Sequence, residues 1–228
     1  ADCGPVCISL CQDIQGEIFD YPEDFFKEKI HNIRRPRPDD FQIKEAAEKI
    51  KKSKNPIIIS GGGVFYSDAM EELSTFAVKH NIPVTQTVMG YSSMKRDHSH
   101  FLGPIGGLGG KAANNFAKKT DLAIAIGTKL GDFTTGSWSN FENPNFSLVS
   151  INVARFDASK HMAQSIIGDA KVSLNELSQA LGDWKASEEW HKKSRDELKS
   201  WNEYVDKESG PTNQNLPSYA HAVGAIYR

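Results

Sequence analysis

The 228 residues carry a formal net charge of -2, with 39% apolar and 25% charged side chains. That composition supports a folded core and excludes a disordered chain, and the near-neutral balance gives no electrostatic reason to bind nucleic acid or a membrane surface. No apolar run approaches the ~20 residues of a membrane span, and Ala1-Asp2-Cys3-Gly4-Pro5 is neither a signal peptide nor a start at Met, so the chain reads as a piece of a longer one.

Taken in order, Gly4 to Leu10 reads as a strand. Cys3, Cys7 and Cys11 recur on one face of it, too far apart to pair with each other and without a fourth metal ligand. They read as small buried residues in a reducing, cytosolic setting. Tyr21-Pro22 and Arg34-Arg35-Pro36-Arg37-Pro38 then keep the chain extended, because proline excludes helix at and before its own position. This is a linker over residues 21–38, whose arginines are either solvated or a phosphate site.

Asp39 to Lys54 reads as a helix with Ile43, Ala46, Ala47 and Ile50 on one face. Pro56 ends it and Ile57 to Ile59 form a strand buried on both sides. Gly61, Gly62 and Gly63 make a tight turn, and Asp68 with Glu71 reads as the capping box of a helix running to His80, with Ser67 as the competing cap. Ile82 to Thr87 is the next strand, followed by a glycine-rich loop over residues 88–110. Lys111 to Lys119 is a helix, Asp121 to Thr128 a second buried strand ending at Gly127, and residues 132–138 a polar and aromatic loop. Ser147 to Val153 and Ser165 to Gly168 are the last strands. Ser173 and Glu176 read as the capping box of a helix ending near Leu181-Gly182. An amphipathic helix follows over Ser187 to Lys207, with Trp190, Leu198, Trp201 and Val205 packing inward. Ser209 to Asn215 is a linker, and Tyr219 begins another helix. Alternating strand and helix predicts an α/β fold, a doubly wound parallel sheet of about six strands.

A strand–glycine–helix passage is where such sheets bind ligands. A dinucleotide fingerprint would need Gly or Ala where Tyr66 stands, and an acidic end to the second strand where Gln86-Thr87 stands, so ordinary NAD binding is not supported. Two readings stay open: a phosphate held by backbone N–H groups, and a tight turn without a ligand, which the residues favour. The crevice candidates are Gly61, Gly62, Gly63, Gly127 and Thr128. Gly106 to Lys111 fails as a phosphate loop at Ile105 and Ala112. Asp97-His98-Ser99-His100 lacks the partners that would complete a metal set, and Asp157 with His161 reads as a surface pair. No catalytic constellation appears.

The segments Gly4 to Asp13, Pro56 to Gly63, Asp121 to Gly136 and Gly168 to Ala170 stand in an order that resembles thiamine-diphosphate-dependent enzymes of the acetolactate synthase and pyruvate oxidase group. Arg34 to Pro38, Phe133 to Trp138 and Ile151 to His161 are most similar to its hydrolytic branch, which opens a cyclic dione in myo-inositol catabolism. The resemblance implies three domains. Residues 1–20 would end a pyrimidine-binding domain, 39–183 would be the central, Rossmann-like domain, 184–208 the amphipathic helix, 209–218 a linker, and 219–228 the start of a diphosphate-binding domain. It implies thiamine diphosphate and Mg²⁺ in a full-length, cytoplasmic, homo-oligomeric parent (a dimer or tetramer), held by its own pyrimidine- and diphosphate-binding domains. Neither cofactor is expected in this piece, which lacks the family's Gly-Asp-Gly signature: Gly131-Asp132, Gly168-Asp169 and Gly182-Asp183 are followed by Phe, Ala and Trp. The piece is expected to be inactive, with no catalytic or metal residue of its own.

Some relatives bind FAD or ADP in the crevice at the glycine turn. They carry an acidic residue where Asn152 stands and an arginine within the segment corresponding to Lys129 to Phe133. The departure favours a structural role over a nucleotide-binding module. An acetolactate synthase-like carboligase is the alternative parent.

Overall fold

The buried apolar runs and the helical stripes build one sheet with helices on both sides. The computed structural model describes residues 6–30, 32, 34–213 and 215–228, and the chain divides into two compact units, Ala1–Arg35 and Pro36–Arg228.

In the larger unit the strands are β1 (Pro56–Ser60), β2 (Val84–Gln86), β3 (Phe101–Pro104), β4 (Leu122–Ile126), β5 (Ser147–Asn152) and β6 (Gln164–Ile167). The helices are α1 (Asp40–Lys52), α2 (Gly62–Tyr66), α3 (Met70–His80), α4 (Lys111–Ala117), α5 (Asp132–Thr135), α6 (Arg155–Ser159), α7 (Ala170–Leu181), α8 (Glu188–Glu208) and α9 (Tyr219–Tyr227). All six strands pair in parallel, in the order β3-β2-β1-β4-β5-β6.

Side chains alternate across a strand, and this sorts the core into two layers. Ile58, Ile124, Ile126, Val149 and Ile151 point to the side covered by α1, α3 and α7, where Ile50, Phe76 and Leu177 meet them. Ile57, Ile59, Ala123 and Ala125 point to the other side, covered by α4 and α8 through Phe116, Trp190 and Leu198. Trp190 stacks on Phe116 with ring centroids 4.0 Å apart, and its indole N–H donates to the Pro56 carbonyl at 2.8 Å. Ladder ends at the other pole are held by Asp121, whose carboxylate accepts from the Lys54 and Asn55 amides at 2.8 and 3.0 Å.

Several expectations are corrected. Residues 6–10 form no strand, and Val6, Ile8 and Leu10 are exposed. A strand exists only where its backbone groups are paired, and the described residues of the smaller unit contain no partner. That unit has two short 3₁₀ turns, Ile14–Gly16 and Glu23–Phe25, and a cluster of Phe19, Tyr21, Phe25 and Phe26. Gly4, Pro5 and Cys3 lie outside the described residues.

The loop over residues 88–110 contains the edge strand β3. Gly103 and Pro104 hide it from a pattern search, yet an edge strand tolerates both because one side of it needs no donors. Helix α2 starts directly after Gly61, and the chain then kinks at Asp68 (φ 53°) before α3. Asp68 therefore caps nothing; its side chain lies 3.8 Å from the Lys171 ammonium. Ser173 does not cap α7 either. Asp169 does, accepting from the Lys171 and Val172 amides at 3.1 and 3.3 Å.

Candidate functional site

In the observed strand order, β1 leads to β2 on one side and its other neighbour is β4, so the connections leave in opposite directions and a crevice opens at the carboxyl edge. Its floor is the turn after β1 and the turn after β4. Gly62, Gly63, Tyr66, Met89, Phe133 and Asn152 are among the residues that line a cavity of about 430 Å³. The structure thus brings Gly61, Gly62, Gly63, Gly127 and Thr128 together from segments more than sixty residues apart in the chain.

What these glycines do there is visible in their hydrogen bonds. Gly61 donates its N–H to Ile126 O at 2.8 Å and Gly63 donates to Gly127 O at 2.9 Å. Those two amides are committed to the end of β4 and the first residue after it, and do not point at a ligand. The approach is close: a methyl built on Gly61 would lie 2.4 Å from Gly127 O, and one on Gly63 would lie 2.5 Å from Gly127 Cα. Gly127 adopts φ 60°, which only glycine holds cheaply. Helix α2 is five residues long, too short to aim a sizeable dipole at an anion.

The polar positions are spent in the same way. The Gln86 side chain is buried and donates to Met94 O at 2.9 Å. Asn152 Oδ1 accepts from the Ala154 amide at 3.0 Å, and its Nδ2 donates to Thr128 O at 3.4 Å. Thr128 Oγ1 accepts from Leu130 N at 3.4 Å. Lys129, Asp132 and Asp157 also line the crevice. Reading the residues had not singled out the last two as its lining, nor Met89 and Phe133; all follow strand ends, and that position is the signal that could have found them. Asp157 does not pair with His161. Its carboxylate lies 3.9 Å from Lys160, while His161 bonds Leu130 O at 3.2 Å and packs edge-on against Trp138.

The His98 and His100 pair is internal to the fold. His98 Nε2 bonds Ser74 Oγ at 2.8 Å, and His100 bonds Asn81 Oδ1 at 3.1 Å and Ser99 Oγ at 2.9 Å. Among the described residues no group of three or more His, Cys, Asp or Glu side chains could hold a metal ion.

A family model described as thiamine pyrophosphate enzyme, central domain, matches residues 43–177. The chain belongs to the thiamine pyrophosphate enzyme central-domain family. This central domain is similar to proteins named 3D-(3,5/4)-trihydroxycyclohexane-1,2-dione hydrolase. The one from Clostridium perfringens (strain 13 / Type A) is 49% identical over 181 residues, which are 79% of this chain and 28% of that protein. The Clostridium botulinum (strain Alaska E43 / Type E3) protein is 45% identical over 211 residues, 91% of this chain and 32% of the relative. The Geobacillus thermodenitrificans protein is 36% identical over 238 residues, 99% of this chain and 37% of the relative. The chain therefore spans roughly a third of the length of these relatives, and the central domain occupies most of what is shared. No helix among the described residues is long and apolar enough to cross a membrane.

Proposed function

We propose that this chain is the central, structural domain of a thiamine-diphosphate-dependent hydrolase that opens the ring of a trihydroxycyclohexane-1,2-dione, with the chemistry carried by flanking domains of the same polypeptide. The named relatives support the activity. The observation that carries the structural role is the use of the Gly61 and Gly63 amides to bind the loop after β4. A phosphate at this turn would not find the Gly61 and Gly63 amides available to it.

The residues present do not fit a diphosphate–Mg²⁺ site. Asp169, the middle of one Gly-Asp-Ala run, is 4% exposed and accepts from two helix amides and from Ser67 Oγ at 2.8 Å. Thiamine diphosphate and Mg²⁺ belong, on this reading, to the other domains. The parent works as a homo-oligomer in the cytoplasm; Cys7 and Cys11, read from the sequence as buried, are instead exposed, and their free thiols suit a reducing compartment.

Two measurements test this. Full-length protein is expected to open the dione ring only with thiamine diphosphate and Mg²⁺; ring opening without them, or acetolactate formed from pyruvate in its place, overturns the assignment. Calorimetric titration of this chain with FAD, ADP and NAD is expected to show no binding, and a micromolar or tighter complex with any of them overturns the structural role.

A further inference from the structure

The first half of α8 and the strap before it are attached to the domain through histidines. His100, at the entry to β3, is 6% exposed. The His191 ring from α8 lies face to face on it, with centroids 4.1 Å apart and planes 16° apart. His191 also bonds Ser99 O at 3.1 Å. One residue further along β3, the Phe101 carbonyl accepts from Arg195 of α8 at 3.2 Å. The strap is held alongside. Asn81, the partner of His100, donates to Ala186 O at 3.2 Å. His80, with no exposed surface, bonds Trp184 O at 2.8 Å and Ser178 Oγ at 3.0 Å, and its carbonyl accepts from the Ala186 amide at 2.9 Å.

We propose that this cluster is an acid-sensitive clasp, in which protonation of the buried His100 beneath the His191 ring releases the segment from Trp184 to Leu198 while the sheet stays folded. The geometry sets the direction. Neutral His100 has both ring nitrogens satisfied by Asn81 and Ser99. A second proton brings a charge under the His191 ring and beside Arg195. The charged and titratable groups around the cluster are His98 and Asp97 on the same loop, His191 and Arg195 from α8, and Lys79 and Lys185 near His80. Asp97 acts on His98, and among the described residues no carboxylate offsets the charge at His100. Burial, then His191, His98 and Arg195, hold His100 down at about 4. Burial first and the two lysines after it also keep His80 below its ordinary value, against the opposing bond to Trp184 O.

Release of this segment would leave α8 joined to the domain by its second half, where Trp201 packs against the core on that side of the sheet. Trp190 is the natural reporter, because its ring is stacked on Phe116 and its N–H is bonded to Pro56 O.

Hydrogen exchange by mass spectrometry, on the whole chain at about pH 7.5 and about pH 4.5 and corrected for the intrinsic pH dependence, tests the idea. Protection of residues 184–198 is expected to fall at least about tenfold, with β1 and β4 unchanged and tryptophan emission moving to the red. H100Q is expected to abolish most of that change; H191Q, on a partly exposed helix face, is expected to reduce it clearly even where H100Q fails to fold, while the control H221Q retains it in full. Protection that does not change with pH, opening of segment and sheet together, or identical behaviour of H191Q and H221Q overturns the proposal.

Discussion

Gly63 and Gly127 meet backbone to backbone at the centre of the sheet's carboxyl edge, the first donating its N–H to the carbonyl of the second at 2.9 Å. The contact joins the loops after β1 and β4, neighbouring strands whose connections depart to opposite sides. It turns what looks in one dimension like a ligand-binding motif into a structural joint.

Adding a methyl at this joint has a steep cost. Gly63→Ala would place Cβ 2.5 Å from Gly127 Cα, and backbone on both sides leaves little room to shift. Overpacking costs about 1–3 kcal/mol, so urea unfolding should show a loss of about 2 kcal/mol. Gly127→Ala combines the same crowding with φ 60° and should lose more. Gly131→Ala meets nothing within 4 Å and should stay within about 0.5 kcal/mol of the parent. Equal effects at all three positions would show that the joint carries no packing constraint.

The start of α7 offers a contrast within one turn. Asp169 is buried and caps the helix, so Asp169→Ala removes the acceptor of two helix amides and of the Ser67 hydroxyl; a loss of about 2–4 kcal/mol is expected. Ser173 is fully buried and its hydroxyl has no hydrogen-bond partner among the described residues. Ser173→Ala removes an unpaired polar atom and should be neutral or stabilising. Denaturant midpoints of the two variants decide it; a destabilised S173A would mean that the serine hydroxyl is bonded after all.

Trp190 is the anchor of α8, 4% exposed, stacked and hydrogen-bonded. Trp190→Ala should cost about 3–5 kcal/mol. Trp201, only partly buried where its ring lies against Gly110, should cost clearly less on the same substitution. The comparison is read from thermal or chemical unfolding, and the reverse ranking would relocate the anchor toward the end of the helix.

Stability should depend on pH through His100. Its folded value of about 4 lies below the unfolded 6.5, so the unfolded chain takes up the proton first. The contribution of neutral His100 is complete above about pH 6.5 and is lost as pH falls from there toward 4. His80 works in the same direction. Urea midpoints followed across this window should decline on the acid side, and His100→Gln should flatten the decline. A midpoint that rises as pH falls would contradict the sign.

Much of this fold was legible because its signals are local. Ile57 to Ile59 and Leu122 to Ile126 announce strands buried on both faces, and Ile43, Ala46, Ala47 and Ile50 announce the inner face of α1, since side-chain period follows backbone geometry alone. The parallel, doubly wound class followed from the alternation of these segments. Other features depended on partners distant in the chain. Strand β3, with Gly103 and Pro104, exists because β2 offers it a ladder, whereas residues 6–10 have strand-like alternation and no ladder among the described residues. Ser173 reads as the cap of α7 from its spacing to Glu176, but the fold places Asp169, four residues earlier, against the free amides. Gly61 to Gly63 could be read from the sequence as a turn. That the Gly61 and Gly63 amides face Ile126 and Gly127 was decided by tertiary structure, because strand order determines which strand ends and loops meet across the sheet edge.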